Sequence, residues 1–218
     1  MNPNLLNLIL LSLSFLLLFG ISELINFVFK IHVEYTRKLV HICSGLLVLT
    51  FPFLFTHYIW VIIISVEFFI LLKLSLKFNF LKSINGISRQ SYGSLVYPLV
   101  VVISFLFYHL KNTGNEYFYF YLPMLIMAFA DPAAAFFGKK IPFGRFKVGA
   151  EEKTISGAIG FFVVAFIINL FILPETNFLL LFFIPFAATI AESRTSKGLD
   201  NLTVPLTIIT ILLLFPIK

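Results

Sequence analysis

The sequence predicts an all-α polytopic membrane protein of about eight transmembrane helices (seven to nine), with both termini on the non-cytoplasmic side. Three observations carry this prediction: extreme apolarity, apolar stretches of membrane length, and cations confined to alternate loops. Apolar side chains form 60% of the 218 residues and mean hydropathy is +1.01, against roughly 45–50% in an ordinary soluble domain. Charged residues are only 12% of the chain, about half the usual share. A water-soluble fold of this length cannot hide so much apolar side chain, so the bilayer is the solvent for most of it.

The apolar stretches run over residues 5–29, 39–55, 58–72, 94–110, 117–137, 155–173, 178–191 and 202–217. Several are shorter than the ~20 residues an untilted span needs, which leaves the second with the third, and the seventh with the eighth, the least secure. Charge supports the count. The first loop holds Lys30, Arg37 and Lys38, and the third holds Lys73, Lys77, Lys82 and Arg89. The fifth holds Lys139, Lys140, Arg145, Lys147 and Lys153, and the seventh holds Arg194 and Lys197. Only Lys111 and Lys218 fall elsewhere. Such bias is the positive-inside asymmetry of polytopic proteins, so the net charge of +6 reads as orientation, with no nucleic acid implied. No Lys or Arg precedes Lys30, so the N-terminus lacks the basic region of a signal peptide and reads as a retained first span.

Acids follow the cations. Glu23, Glu67 and Asp131 fall toward the inner ends of spans, Glu151, Glu152, Glu192 and Asp200 in inner loops, and Glu116 and Glu175 outside. The single cysteine, Cys43, excludes an internal disulfide and Cys-rich metal sites. His32, His57 and His109 lack metal-ligand spacing. Residues 1–218 read as one integral-membrane domain, with no soluble domain, long linker or repeat.

Chemistry concentrates in four segments. Asp131, between MLIMAFA and PAAAFFG, is an intramembrane acid of a kind usually kept for a partner or a function. It either pairs locally with Lys139 or Lys140, or ligates Mg²⁺ (or Mn²⁺), which takes one or two carboxylates plus substrate phosphates. Ala133, Ala134, Ala135 and Gly138 permit close approach by a helix, a ligand or a lipid. Residues 138–157 then form a cytoplasmic loop and helix start suited to a nucleotide. Lys139, Lys140, Arg145, Lys147 and Lys153 supply positive charge, or serve topology and headgroup attraction. Lys153, Thr154, Ser156 and Gly157 open a helix, whose free N–H groups favour anions. No Walker sequence is present.

The segment AESRTSKGLDNLTVP (191–205) brings Glu192 and Asp200 to the same face as further metal ligands, with Asp200 and Asn201 either capping the last helix or offering oxygens. In YTRKLVHICSG (35–45), Arg37, Lys38 and His41 share one side of a helix and suit a phosphate, or His41 moves a proton. In SRQSYGSLVYP (88–98), Arg89, Ser91 and Gly93 suit an anion-binding turn, though a plain cytoplasmic loop contains similar residues.

These segments, DPAAAFFGKK…GRFKVGAEEKTISG with RKLVHICSG, RQSYGSLVYP and AESRTSKGLDNLTVP, resemble the signature stretches of the polyprenol kinase family, in order, over most of residues 35–205. That family includes dolichol, phytol and farnesol kinases and CTP-dependent diacylglycerol kinases. The resemblance implies transfer of the γ-phosphate of CTP to the hydroxyl of a hydrophobic alcohol. It also implies nucleotide and metal binding by Asp131, Lys139, Lys140, Lys153, Thr154 and Gly157. Where family members read GSEKT or GSKKT, this chain has Gly149-Ala150-Glu151-Glu152-Lys153-Thr154, with a second acid.

The expected catalytic residues are therefore Asp131, Lys153 and Asp200, with Asp200, Glu67 and His41, in that order, as bases for the lipid hydroxyl. Expected partners are the lipid alcohol, the triphosphate and the bilayer, in a bacterial inner membrane with the site facing the cytoplasm. The alternatives are a phosphatidate cytidylyltransferase, which also uses CTP at a membrane acid site, and a proton-coupled transporter. The transporter is disfavoured because the charges gather at one face, without broken helices at mid-membrane.

Overall fold

The computed structural model describes residues 2–86, 91–111, 117–173 and 176–216, and all eight apolar stretches are helical in it. Helix is the form expected, since a segment in hydrocarbon must satisfy its backbone internally. The chain divides into two compact units, Met1–Gln90 and Ser91–Lys218.

The first unit contains α1 (Pro3–Phe29), α2 (Val33–Val48), α3 (Phe51–Leu54), α4 (Tyr58–Phe78) and α5 (Lys82–Asn85). Each long helix starts on a side-chain cap. Asn2 Oδ1 accepts from the Asn4 amide at 2.9 Å, and the Nδ1 atoms of His32 and His57 accept from the amides of Glu34 and Ile59, each at 3.3 Å. Two of the isolated histidines are thus helix starters. At one end, Asn4 donates to Thr56 Oγ1 (3.0 Å) and Asn7 to the Leu54 carbonyl (2.8 Å). At the other, Glu23 Oε1 accepts from the Ser83 amide (2.6 Å), and Thr36 Oγ1 donates to the Ser83 carbonyl (2.8 Å). Between these ties Phe15 packs on Phe68, ring centroids 4.7 Å apart.

Two boundaries differ from expectation here. The second stretch breaks at Thr50, where Pro52 opens α3. The third runs on to Phe78, so Glu67 lies mid-helix and not toward the inner end. Its Oε2 accepts from Ser12 of α1 at 2.8 Å. Ser75, whose hydroxyl bonds the Leu72 carbonyl, is buried with Leu72, and that packing continues the helix past the expected stop.

The second unit contains α6 (Gly93–Leu110), α7 (Phe118–Lys140), β1 (Arg145–Val148), β2 (Glu151–Thr154), α8 (Ile155–Ile172), α9 (Phe178–Arg194) and α10 (Asp200–Leu214). Its core combines small residues, Ala130, Ala134, Ala165 and Ala188, with Phe161, Ile184 and Ile208, all under 9% exposed. Small side chains let helices approach closely where no hydrophobic force drives them together. The antiparallel β1–β2 hairpin departs from an all-α reading. Residues 145–148 (RFKV) alternate in a two-residue period ahead of Gly149-Ala150, a strand signal hidden inside a basic loop.

Among the described residues six helices are long and apolar enough to cross a membrane: α1, α2 with α3, α4, α6, α7 and α8. Helices α9 (17 residues) and α10 (15 residues) are shorter. Many flanking side chains are bare, Leu17 at 65% and Phe171 at 81% exposure among them, as lipid-facing residues are. This is an integral membrane protein.

Proline inside α9 has a specific remedy. Pro185 has no N–H for the carbonyl of Leu181, and Asn169 Nδ2 of α8 reaches that carbonyl at 2.9 Å. Replacing Asn169 with Leu leaves that carbonyl without a donor in a dry core. A loss of about 1–2 kcal/mol is expected, measured as a lower midpoint of thermal unfolding in detergent, whereas Asn169→Gln retains more of the stability.

Candidate functional site

At one end of the second unit the hairpin folds onto the connection between α9 and α10. The turn is built for this. Gly149 has φ +60° and Ala150 does not, the pattern of a two-residue type II′ turn, with glycine at its first central position. Alternation then sorts the side chains by face. Glu151 and Lys153 point inward with Phe146 and Val148, while Arg145, Lys147 and Glu152 are exposed.

Lys153 is the centre of the inner face. Its Nζ lies 2.6 Å from Glu192 Oε1 and 3.9 Å from Asp200 Oδ2, and it also donates to the Glu192 carbonyl. The side chains of Lys153, Glu192 and Asp200 are 13%, 9% and 17% exposed. Here the lysine is held between the two carboxylates. Glu192 belongs to the last turn of α9 and not to a loop. Asp200 is the first residue of α10, and its Oδ1 accepts from the Asn201 amide at 3.0 Å.

The same connection is tied twice more. Lys197 (φ +57°) and Gly198 (φ +75°) are both left-handed, and Glu151 Oε1 accepts from the Lys197 amide at 3.1 Å. The first acid of EEKT thus anchors a strained residue, and the second, Glu152, turns outward to Arg145 at 3.4 Å. The Lys197 carbonyl accepts from the Tyr92 amide (2.8 Å), and Asn201 Nδ2 donates to the Gly93 carbonyl (3.1 Å). A Cβ on Gly198 would sit 2.6 Å from both Gly93 N and Ser91 Oγ, so only glycine fits. Two segments a hundred residues apart in sequence therefore meet here, the starts of α6 and α10.

Two expected anion sites are already filled by protein. In the first turn of α8, the Ile155 amide donates to the Phe143 and Gly144 carbonyls (3.1 and 3.0 Å), Ser156 N to Phe143 O (3.4 Å), and Gly157 N to Thr154 Oγ1 (3.0 Å). Ser156 Oγ bonds the Ile141 carbonyl. KTISG thus caps the start of α8 and packs it closely. A Cβ on Gly138 would lie 2.8 Å from Thr154 Oγ1, and one on Gly157 would lie 2.9 Å from the Ala134 carbonyl. In the Ser91–Gly93 turn the amides of Tyr92 and Gly93 go to Lys197 O and Ser91 Oγ (2.8 and 3.4 Å). Arg89 lies outside the described residues.

The remaining candidates distribute as follows. Asp131 is half-buried on α7, seven residues before Gly138 and thus on the same helix face, two turns or about 10 Å away. Pro132 beside it removes the N–H that would have bonded the Ala128 carbonyl. Lys139 and Lys140 end α7 and complement its dipole. Lys140 Nζ lies 5.3 Å from the centroid of the Phe136 ring. Arg37, Lys38 and His41 are half-buried on α2, and Glu67 is on α4, all in the first unit.

No three acids, histidines or cysteines gather to hold a metal ion among the described residues. The expected trio of Asp131, Glu192 and Asp200 is not a preformed metal cage, because the Lys153 ammonium stands between two of its members. The donor chemistry does suit a magnesium ion that arrives with phosphates, since one carboxylate suffices then, and the Glu192–Lys153–Asp200 group holds one more acid than base.

Membrane-length helices and a nearly buried acid–lysine cluster at one helix end define an integral membrane protein with a polar centre at the edge of its apolar core. The chain is 31% identical over 192 residues to a phytol kinase from Synechocystis sp., covering 85% of this chain and 81% of that protein. It belongs to the polyprenol and phytol kinase family. No family model and no solved structure matches it.

Removing one member of a buried ion pair leaves the other charge stranded, at a cost of about 3–5 kcal/mol. Lys153→Met is expected to destabilise by that order, and Lys153→Met with Glu192→Leu to recover part of the loss. Thermal unfolding in detergent reads both, and equal losses would show that Glu192 does not depend on the lysine.

Proposed function

We propose that this protein phosphorylates a lipid alcohol, transferring the γ-phosphate of CTP to the terminal hydroxyl of an isoprenoid alcohol of the phytol or polyprenol type. The observation that carries this reading is the Lys153 cluster at the helix ends, in a chain related along most of its length to a phytol kinase. Charge must collect where a triphosphate meets a membrane, and the acceptor chain needs apolar helices beside it. Both are present in the second unit.

Phosphoryl transfer asks little covalent chemistry of a protein; positioning and charge neutralisation dominate. Asp131 would hold the magnesium ion that accompanies the nucleotide, and the ion supplies neutralisation of the phosphate charge. Lys153 holds Asp200 at a fixed place beside Glu192. Phosphate oxygens entering this cluster compete for the ammonium, and Asp200, released from it, takes the proton of the alcohol. The alcohol oxygen then bonds to the γ-phosphorus as the bond to the β–γ bridging oxygen breaks, and CDP leaves. Glu67, bonded to Ser12 in mid-helix, and His41 rank behind Asp200 as bases. Eight spans with both termini outside, and a site on the cytoplasmic face of a bacterial inner membrane, accord with the cation distribution.

Membranes given phytol and γ-labelled CTP are expected to form a labelled lipid phosphate, and Asp131→Asn to reduce the rate by roughly 10²–10³-fold. Label entering lipid from α-labelled CTP, with pyrophosphate released, would replace this reading with a cytidylyltransferase.

A further inference from the structure

The turn joining α7 to the hairpin is held rigidly yet presents bare apolar side chains. Its carbonyls at Ile141, Phe143 and Gly144 accept from Ser156 Oγ and the first amides of α8, and the Ile155 side chain covers Gly144, whose φ is +64°. Nevertheless Ile141 and Phe143 are 54% and 67% exposed, and Phe136 on the last turns of α7 is 56% exposed. A loop in water has no use for phenylalanine fixed outward. Lys140 lies over Phe136, and Lys147 is exposed on the outer face of β1, while Arg145 there is already answered by Glu152.

Apolar anchors beside long cations are the composition of a membrane interface: rings enter the acyl boundary while ammonium groups stay among headgroups. Clustered cations at that depth attract anionic lipid. We propose that the 136–147 segment is seated in the headgroup layer where α7 ends and binds an anionic phospholipid there through Lys140 and Lys147. This surface stands on the membrane reading and not on the kinase reading, so either can fail alone. Seated so, it holds the base of the hairpin that carries Lys153 against the bilayer, where a lipid hydroxyl emerges.

The test places a reporter in the turn: Phe143→Trp in a Trp60→Phe background, reconstituted in vesicles of phosphatidylcholine with phosphatidylglycerol, one or other brominated in its acyl chains. Blue-shifted emission is expected, with stronger quenching by the brominated phosphatidylglycerol. Lys140→Gln and Lys147→Gln should each reduce that preference about fivefold, and excess CTP with Mg²⁺ should leave it unchanged. Water-like unquenched emission, equal quenching by both lipids, or loss of the preference on adding CTP would each overturn the proposal, the last by assigning these cations to a free phosphate. Circular dichroism of each variant confirms that the helices remain.

Discussion

A lysine nearly sealed from water between two carboxylates is the constraint on which the polar end of this protein depends. Ion pairs withdrawn from solvent give little net stability, because desolvation offsets most of the attraction. Their effect is geometric. Lys153 leaves the hairpin, Glu192 ends α9 and Asp200 begins α10, so one ammonium fixes three elements that share no covalent neighbour. Glu151 and Asn201 complete the enclosure through backbone contacts at Lys197 and Gly93. The apolar spans could slide or tilt against one another at small cost in lipid. The cluster removes that freedom at one end of the second unit.

The apolar helices and their order were legible because bilayer solvation demands long apolar runs, and all eight runs are helical, the second with a break at Thr50. Their ends were less legible. Glu67 looked terminal only because hydropathy falls after Leu72, whereas Ser75 satisfies its hydroxyl on the Leu72 carbonyl and the helix continues. Of the candidate site, the sequence named the segments and not how they face. Gly144 and Gly149 close turns of the chain on itself. Thr154 Oγ1 accepts from the Gly157 amide and Ser156 Oγ donates to the Ile141 carbonyl, partners that composition alone does not show.

This division of labour suits phosphoryl transfer at a membrane. A soluble kinase can wrap nucleotide in glycine-rich backbone, but here the free amides at the start of α8 and in the Ser91–Gly93 turn are spent internally. On the proposed function, charge recognition is left to side chains, which can exchange partners when a triphosphate arrives. Closely packed backbone at Gly138, Gly157 and Gly198 keeps those side chains on a stiff frame.

The two-residue turn at Gly149-Ala150 has a consequence for how such a protein can vary. Strand side chains switch sides at every residue, so the hairpin obeys a rule of parity. Two residues added to a strand would lengthen it harmlessly, but one would carry Lys153 to the outside and bring Glu152 in against Glu192, acid facing acid. Any odd change in this stretch must be absorbed by the bend itself, which makes the hairpin's length, more than its composition, the quantity that descent has to preserve.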